Sequence, residues 1–229
     1  MTDNKPTEEA LLSGDDRSDV PASKAEPVAK LGVPVLVATI PALIGFGIGL
    51  IIYHAGNTSS FNSKIQYVTN FELYYAFLGA VFLSMTTRFI NFYPATLKDP
   101  AMDGKAKGNI RANMYLYKVN TDEGAEALPP VVLEDQGAAG MYNRANRSLH
   151  HFIENLPGLL LCYPAAAFCF PLPAMVLAVV FCVGRVMHQV GYTKGYGSHG
   201  LGFVVSLLAT VAVEGLVIVA SLKGAGVSV

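Results

Sequence analysis

Apolar runs of about 20 residues constrain this 229-residue chain more than any other feature. About 20 such residues in a helix cross the ~30 Å hydrocarbon layer of a bilayer, and only helices or closed barrels satisfy their backbone there. Runs of this kind extend from about Val33 to Tyr53, Phe71 to Phe92, Arg144 to Tyr163, Ala174 to Tyr192 and Leu201 to Leu222. They predict an all-α integral membrane helical bundle with five spans. The composition agrees: 52% of residues are hydrophobic and only 14% are charged, where a soluble domain carries about a quarter.

Three stretches lie outside the spans. Residues 1–30 are acidic and rich in Pro, Ser and Ala, so they read as a disordered N-terminal tail and not as a basic-then-apolar secretory signal. Residues 54–69 read as a polar loop. The 94–143 segment reads as a long connection outside the bilayer, with a short helix expected around 109–119. Residues 31–54 then form one transmembrane helix ahead of a four-helix domain over 70–223. Pro171 and Pro173 suggest a turn between the third and fourth spans, and 193–200 is a Gly-rich turn. Within the first span, Gly45-x-x-x-Gly49 is a spacing that permits close approach of a second helix.

With five spans, 12 basic residues (Lys5, Arg17, Lys24, Lys30, Lys98, Lys105, Lys107, Arg111, Lys118, Arg144, Arg147 and Lys194) fall on one side and 2 (Lys64 and Lys223) on the other. Cytosolic loops carry the excess of Lys and Arg, so the 12-residue side is expected to face the cytosol. A net charge of −1 gives no reason to expect nucleic acid. Cys162, Cys169 and Cys182 sit in apolar runs without the Cys-x-x-Cys spacing of a metal site, so no metal ligands are assigned.

The polar exceptions inside the spans point to chemistry. Arg144, Arg147, His151 and Glu154 recur at i, i+3, i+7 and i+10 on one helix face. Arg185, His188 and Tyr192 share a face on the next span. Ionisable groups are costly in hydrocarbon, so both stripes should face protein or an aqueous pocket. Guanidinium groups grip carboxylates in a bidentate fork, which suits a small anionic ligand. A register-fixing salt-bridge network, Glu154 with Arg147 or Arg185, is the alternative. Arg88 is either a snorkelling arginine or part of the cluster, and Glu214 is an intramembrane carboxylate that is either functional or a protonated packing group.

The order Arg147-x-x-x-His151-x-x-Glu154-Asn155-Leu156-Pro157, with Arg144 ahead of it, resembles the second-helix signature of the MAPEG family, the membrane-associated proteins in eicosanoid and glutathione metabolism. The run Gly184-Arg185-Val186-Met187-His188-Gln189-Val190-Gly191-Tyr192 is similar to that family's third-helix pattern. The likeness covers about 70–222 and is nearest to the type 3 microsomal glutathione transferases. It implies a homotrimer that holds glutathione, as co-substrate, in a cytosol-facing pocket between subunits. Arg144, Arg147, His151, Glu154, Arg185, His188 and Tyr192 would bind it, and His199, Arg88 or Lys194 would stabilise its thiolate. The second substrate would be a lipophilic electrophile or lipid hydroperoxide met in membrane lipid, most readily in the endoplasmic reticulum, with mitochondrial outer and plastid membranes as alternatives. His151 replaces the family's Asn, His188 a Tyr and His199 an Arg. Those departures keep open a non-catalytic lipid- or glutathione-binding scaffold subunit, and a transporter subunit is a third reading.

Overall fold

A computed structural model describes residues 31–102, 115–119, 131–195 and 197–228. Among the described residues, seven helices and one short hairpin follow in order: α1 (Gly32–Ala55), α2 (Thr58–Asn70), α3 (Tyr74–Phe92), α4 (Ala95–Ala101), β1 (Tyr117–Val119), β2 (Val131–Leu133), α5 (Gly137–Cys169), α6 (Pro171–Lys194) and α7 (Gly200–Gly224). Among the described residues, α1, α5, α6 and α7 are each long and apolar enough to cross a membrane. Helix α2 and the run Tyr74–Ala101 make a fifth if taken together, though they meet at a 94° bend. Glu72 sits in that bend with φ +54°, a left-handed conformation uncommon outside glycine.

The core lies where α3, α5, α6 and α7 meet. It is built largely of small side chains (Ala145, Ala166, Ala174 and Ala178 are fully buried), and small residues let membrane helices approach closely. The tightest crossing joins α6 to α7. A Cβ on Gly184 would meet the backbone of Ser206, and one on Gly202 would meet the backbone of His188. Tyr163 of α5 ties the bundle across to α3, its hydroxyl donating to the Ala76 carbonyl at 2.9 Å. Large apolar side chains such as Leu161, Phe168 and Leu201 are exposed on the outside, where a bilayer supplies the solvent.

Four sequence expectations need correction. The 54–69 stretch is mostly helix α2, not a polar loop: Asn57 caps it by accepting from the Ser60 N–H at 3.1 Å. Its Ser, Thr and Asn residues are weak helix formers, which hides it from a composition reading. The third span does not begin at Arg144 or end near Tyr163. Helix α5 starts at Gly137 and continues through Pro157 and Pro164 to Cys169, about 50 Å in all. Membrane helices tolerate such prolines because neighbouring helices re-satisfy the freed backbone. Pro171 and Pro173 form no separate turn; Pro171 opens α6, where the missing N–H would be unpaired in any case. Finally, the 94–143 connection carries α4 and the hairpin. The helix expected at 109–119 fails at its end, because Tyr117–Val119 is a strand paired with Val131–Leu133; residues 109–114 lie outside the described residues.

The first helix is peripheral. Only Pro34 and Ala38 of α1 are buried, and among the described residues nothing comes within 4 Å of a Cβ placed on Gly45, Gly47 or Gly49. The Gly45-x-x-x-Gly49 face therefore makes no close contact with the described residues. The N-terminal tail, 1–30, also lies outside the described residues.

Candidate functional site

Helices α5 and α6 run antiparallel and are laced together by polar contacts at successive turns. Arg144 Nε donates to the Thr193 carbonyl at 3.0 Å, and Gln189 Nε2 donates to the Ala145 carbonyl at 3.0 Å. Ser148 Oγ and His188 Nδ1 share a hydrogen bond at 3.0 Å, and Arg185 Nη1 lies 3.5 Å from His151 Nδ1. Each pair consumes a polar group that hydrocarbon would penalise, so together they set the register of the two helices.

On one side of this seam is a cavity of about 210 Å³, lined by Arg147, Ser148, His151, His188, Tyr192, His199 and Phe203. Its walls are mostly rings. His188 stacks on Tyr192 at 5.6 Å between centroids, and His199 meets Tyr192 edge-on at 4.7 Å. His151 lies 5.2 Å from His188 and 5.6 Å from Phe203. Arg147 and Glu154 form an ion pair at 2.9 Å on the rim, both half exposed.

Beneath the cavity, Arg185 is only 2% exposed. Its guanidinium carbon sits 5.3 Å from the Phe152 ring centroid, a cation–π contact. Its Nε and Nη2 have no hydrogen-bond partner among the described residues, and the buried Nδ1 of His199 has none either. A buried guanidinium with spare donors is a strong call for an acceptor, because unpaired buried charge is expensive.

The sequence-derived candidates divide accordingly. Arg147, His151, His188, Tyr192 and His199 line one cavity, Arg185 lies beneath it and Glu154 is on its rim. Arg144 does not line it: its guanidinium spans the Thr193 and Asp135 carbonyls, tying three segments together. Lys194 is exposed and outside the lining, and Arg88 donates to Ser84 Oγ at 3.3 Å on its own helix. Glu214 is half-buried on α7, away from the lining. Two lining residues escaped the sequence reading. Ser148, one turn after Arg144, was discoverable as a polar residue on an inward face; Phe203 carried no signal beyond its apolar character.

The hairpin is docked over the start of α5 by Asn143. This amide accepts from the Leu116 N–H at 2.8 Å and donates to the Leu116 and Glu134 carbonyls, both at 2.7 Å. Tyr115 reaches His150 Nδ1 at 2.8 Å, and partial burial pushes its phenol pKa up. Lys118 bridges to Asp135 at 3.0 Å and Glu134 at 3.3 Å; the Lys118 hydrogen bond holds the Asp135 carboxyl below its usual range, and the two carboxylates hold Lys118 above its own. Among the described residues no group of three or more His, Cys, Asp or Glu is placed to hold a metal ion.

Residues 108–219 match the family model described as the MAPEG family, a segment that takes in the hairpin, α5, α6 and most of α7 but not α1 to α4. No curated protein and no solved structure matches the chain. The cavity residues all fall inside the matched segment, and with its bundle of long apolar helices this integral membrane protein belongs to the MAPEG family.

Proposed function

We propose that the protein is a glutathione-dependent membrane transferase or peroxidase acting on lipophilic electrophiles or lipid hydroperoxides. The observation that carries this reading is Arg185: a cation buried in a membrane bundle, with two donors unused, beside a cavity rimmed by a second arginine. A small anion with carboxylates satisfies such donors by charge-assisted hydrogen bonds. MAPEG members that are enzymes use glutathione, which has two carboxylates, one ammonium and one thiol. Arg147 and Arg185 would take the carboxylates and Glu154 the ammonium, while His151, His188 and Tyr192 shape the walls.

The reaction follows from the thiol. The thiolate is the nucleophile, and nearby positive charge favours it. In conjugation, the thiol proton leaves, the sulfur lone pair forms a C–S bond to the electrophilic carbon, and the leaving atom takes up a proton. Of His199, Arg88 and Lys194, His199 is the one that lines the cavity, so we assign the thiolate-stabilising role to it. A neighbouring chain would supply the missing wall. The cavity is smaller than the ~300–1,000 Å³ usual for ligand pockets, as expected of one subunit's share of a site completed in a homotrimer.

One observation favours a second reading, a non-catalytic binding or scaffold subunit: position 199 carries an imidazole where the family resemblance implies a guanidinium, the permanently charged group. Ultraviolet absorbance of the glutathione thiolate, measured on adding glutathione to the purified protein in detergent, separates the two. A thiolate signal lost in His199→Ala supports the enzyme; saturable glutathione binding without that signal supports the scaffold; absence of binding refutes both. Native mass spectrometry of the same sample should show three chains, and a monomer that binds glutathione fully would remove the inter-subunit site.

A further inference from the structure

A second crevice, of about 340 Å³, opens between α3 and α6. Phe82 and Thr86 line it from α3, and Val179, Cys182, Val183 and Val186 from α6. At 3.6 residues per turn, these α6 positions lie on the side opposite His188 and Tyr192, so the crevice and the histidine cavity are separated by the body of the helix. Among its lining residues the only polar side chains are Thr86 and Cys182, each 8% exposed, so its walls are almost wholly apolar. Two nearly buried groups on otherwise apolar walls fall short of the polar partners that an ordered water needs, and apolar cavities stay dry. The mouth is apolar too: Phe82 is 42% exposed and Val183 52%, on helices that a bilayer surrounds.

An empty crevice of this size would forfeit the dispersion contacts of its whole lining. In a membrane the neighbouring medium that can fill it is hydrocarbon, and packing is what drives association there, since lipid tails are as apolar as Leu. We propose that the α3–α6 crevice is an acyl-chain site that takes one hydrocarbon tail of a bilayer phospholipid and is distinct from the histidine cavity. The tail would enter between Phe82 and Val183 and end against the Thr86–Cys182 pair. The site is independent of the glutathione reading, because it shares no lining residue with that cavity.

The test uses the full chain in nanodiscs containing phosphatidylcholine with a photoactivatable diazirine on its acyl chain. After irradiation and proteolysis, mass spectrometry should find the α3 and α6 crevice peptides labelled several-fold more than the α7 surface at Leu208 and Val211, which is 60% and 46% exposed and lies outside the crevice lining. Val179→Phe fills the crevice from within and Val183→Phe from its half-exposed mouth, where the fold tolerates the added ring. Each should lower crevice labelling to the α7 level while α7 labelling and glutathione affinity stay unchanged. If Val179→Phe does not fold, Val183→Phe decides. Crevice labelling equal to that of α7 in the unmodified chain, or unaffected by the folded filling variants, overturns the proposal and makes this face part of the ordinary lipid belt.

Discussion

Arg147 Nη1 donates to Glu154 Oε1 across 2.9 Å, two helical turns along α5, with side chains 48% and 54% exposed. The two readings that the sequence left open, a ligand clamp and an internal strut, thus meet in one exposed pair at the mouth of the cavity. Exposed ion pairs add little to stability, because solvent screens them and ordering two long side chains opposes them. In the single chain this geometry therefore favours a pair that can open toward a ligand.

Arg147→Ala should lower glutathione affinity by roughly ten- to a hundredfold, the usual worth of a hydrogen bond to a charged group. The melting temperature in detergent should hardly move. Calorimetric titration with a thermal melt on the same sample checks both, and Arg147→Ala/Glu154→Gln should bind no better than the single variant. Lost stability that the double change restores would make the pair a strut.

Arg185→Met removes a buried cation whose Nε and Nη2 have no hydrogen-bond partner among the described residues. Replacing buried charge by an apolar side chain of similar volume is often neutral or stabilising. The melting temperature should hold or rise, while glutathione affinity falls by about tenfold or more, ~1.4 kcal/mol. A fall in melting temperature together with unchanged affinity would show that Arg185 serves the fold alone.

Gly202→Val places side-chain atoms where α7 meets the His188 backbone. Overpacking of this kind costs about 1–3 kcal/mol. At roughly 2–4 °C per kcal/mol for a chain of this size, a melting curve resolves it. Because His188 and His199 flank the crossing, ligand affinity should fall with stability, and Gly215→Val on the same helix, where a Cβ meets nothing, should leave both intact.

Docking of the hairpin should depend on pH at both extremes. The Asp135 carboxyl is depressed by Lys118, so its contribution is present above its unfolded pKa and is lost as pH falls through the folded value. Lys118 is raised by Asp135 and Glu134, so its contribution holds below its unfolded pKa and is lost as pH rises through the folded one. Hydrogen exchange at Val119 and Leu133, whose strands pair with each other, should be slowest between these limits. Asp135→Asn should flatten the acid limb.

How far the sequence reaches is visible in particular residues. Long apolar runs announced α1, α5, α6 and α7 because burying backbone in hydrocarbon leaves only the helix as a solution for a run of that length. Helical periodicity likewise placed Arg147, His151 and Glu154 on one face, and Arg185, His188 and Tyr192 on another, since that periodicity is a local property of the backbone. What periodicity could not supply was direction in space. Arg144 shares the face of Arg147, yet its guanidinium is drawn to the Thr193 and Asp135 carbonyls, because α6 ends and the hairpin exits beside it. Phe203 reaches the cavity because Gly184 and Gly202 bring α6 and α7 close together, and Ser148 because α5 packs on α6 at His188. Helix α2 and the hairpin were hidden for a related reason: α2 is weak in propensity and each strand is only three residues long, and the Asn57 cap and the Asn143 amide hold them through side-chain contacts that composition does not record. The sequence by itself determined which segments enter the membrane and which polar faces they carry. Tertiary packing decided which of those side chains share a cavity, because that depends on close approaches between segments far apart in the chain.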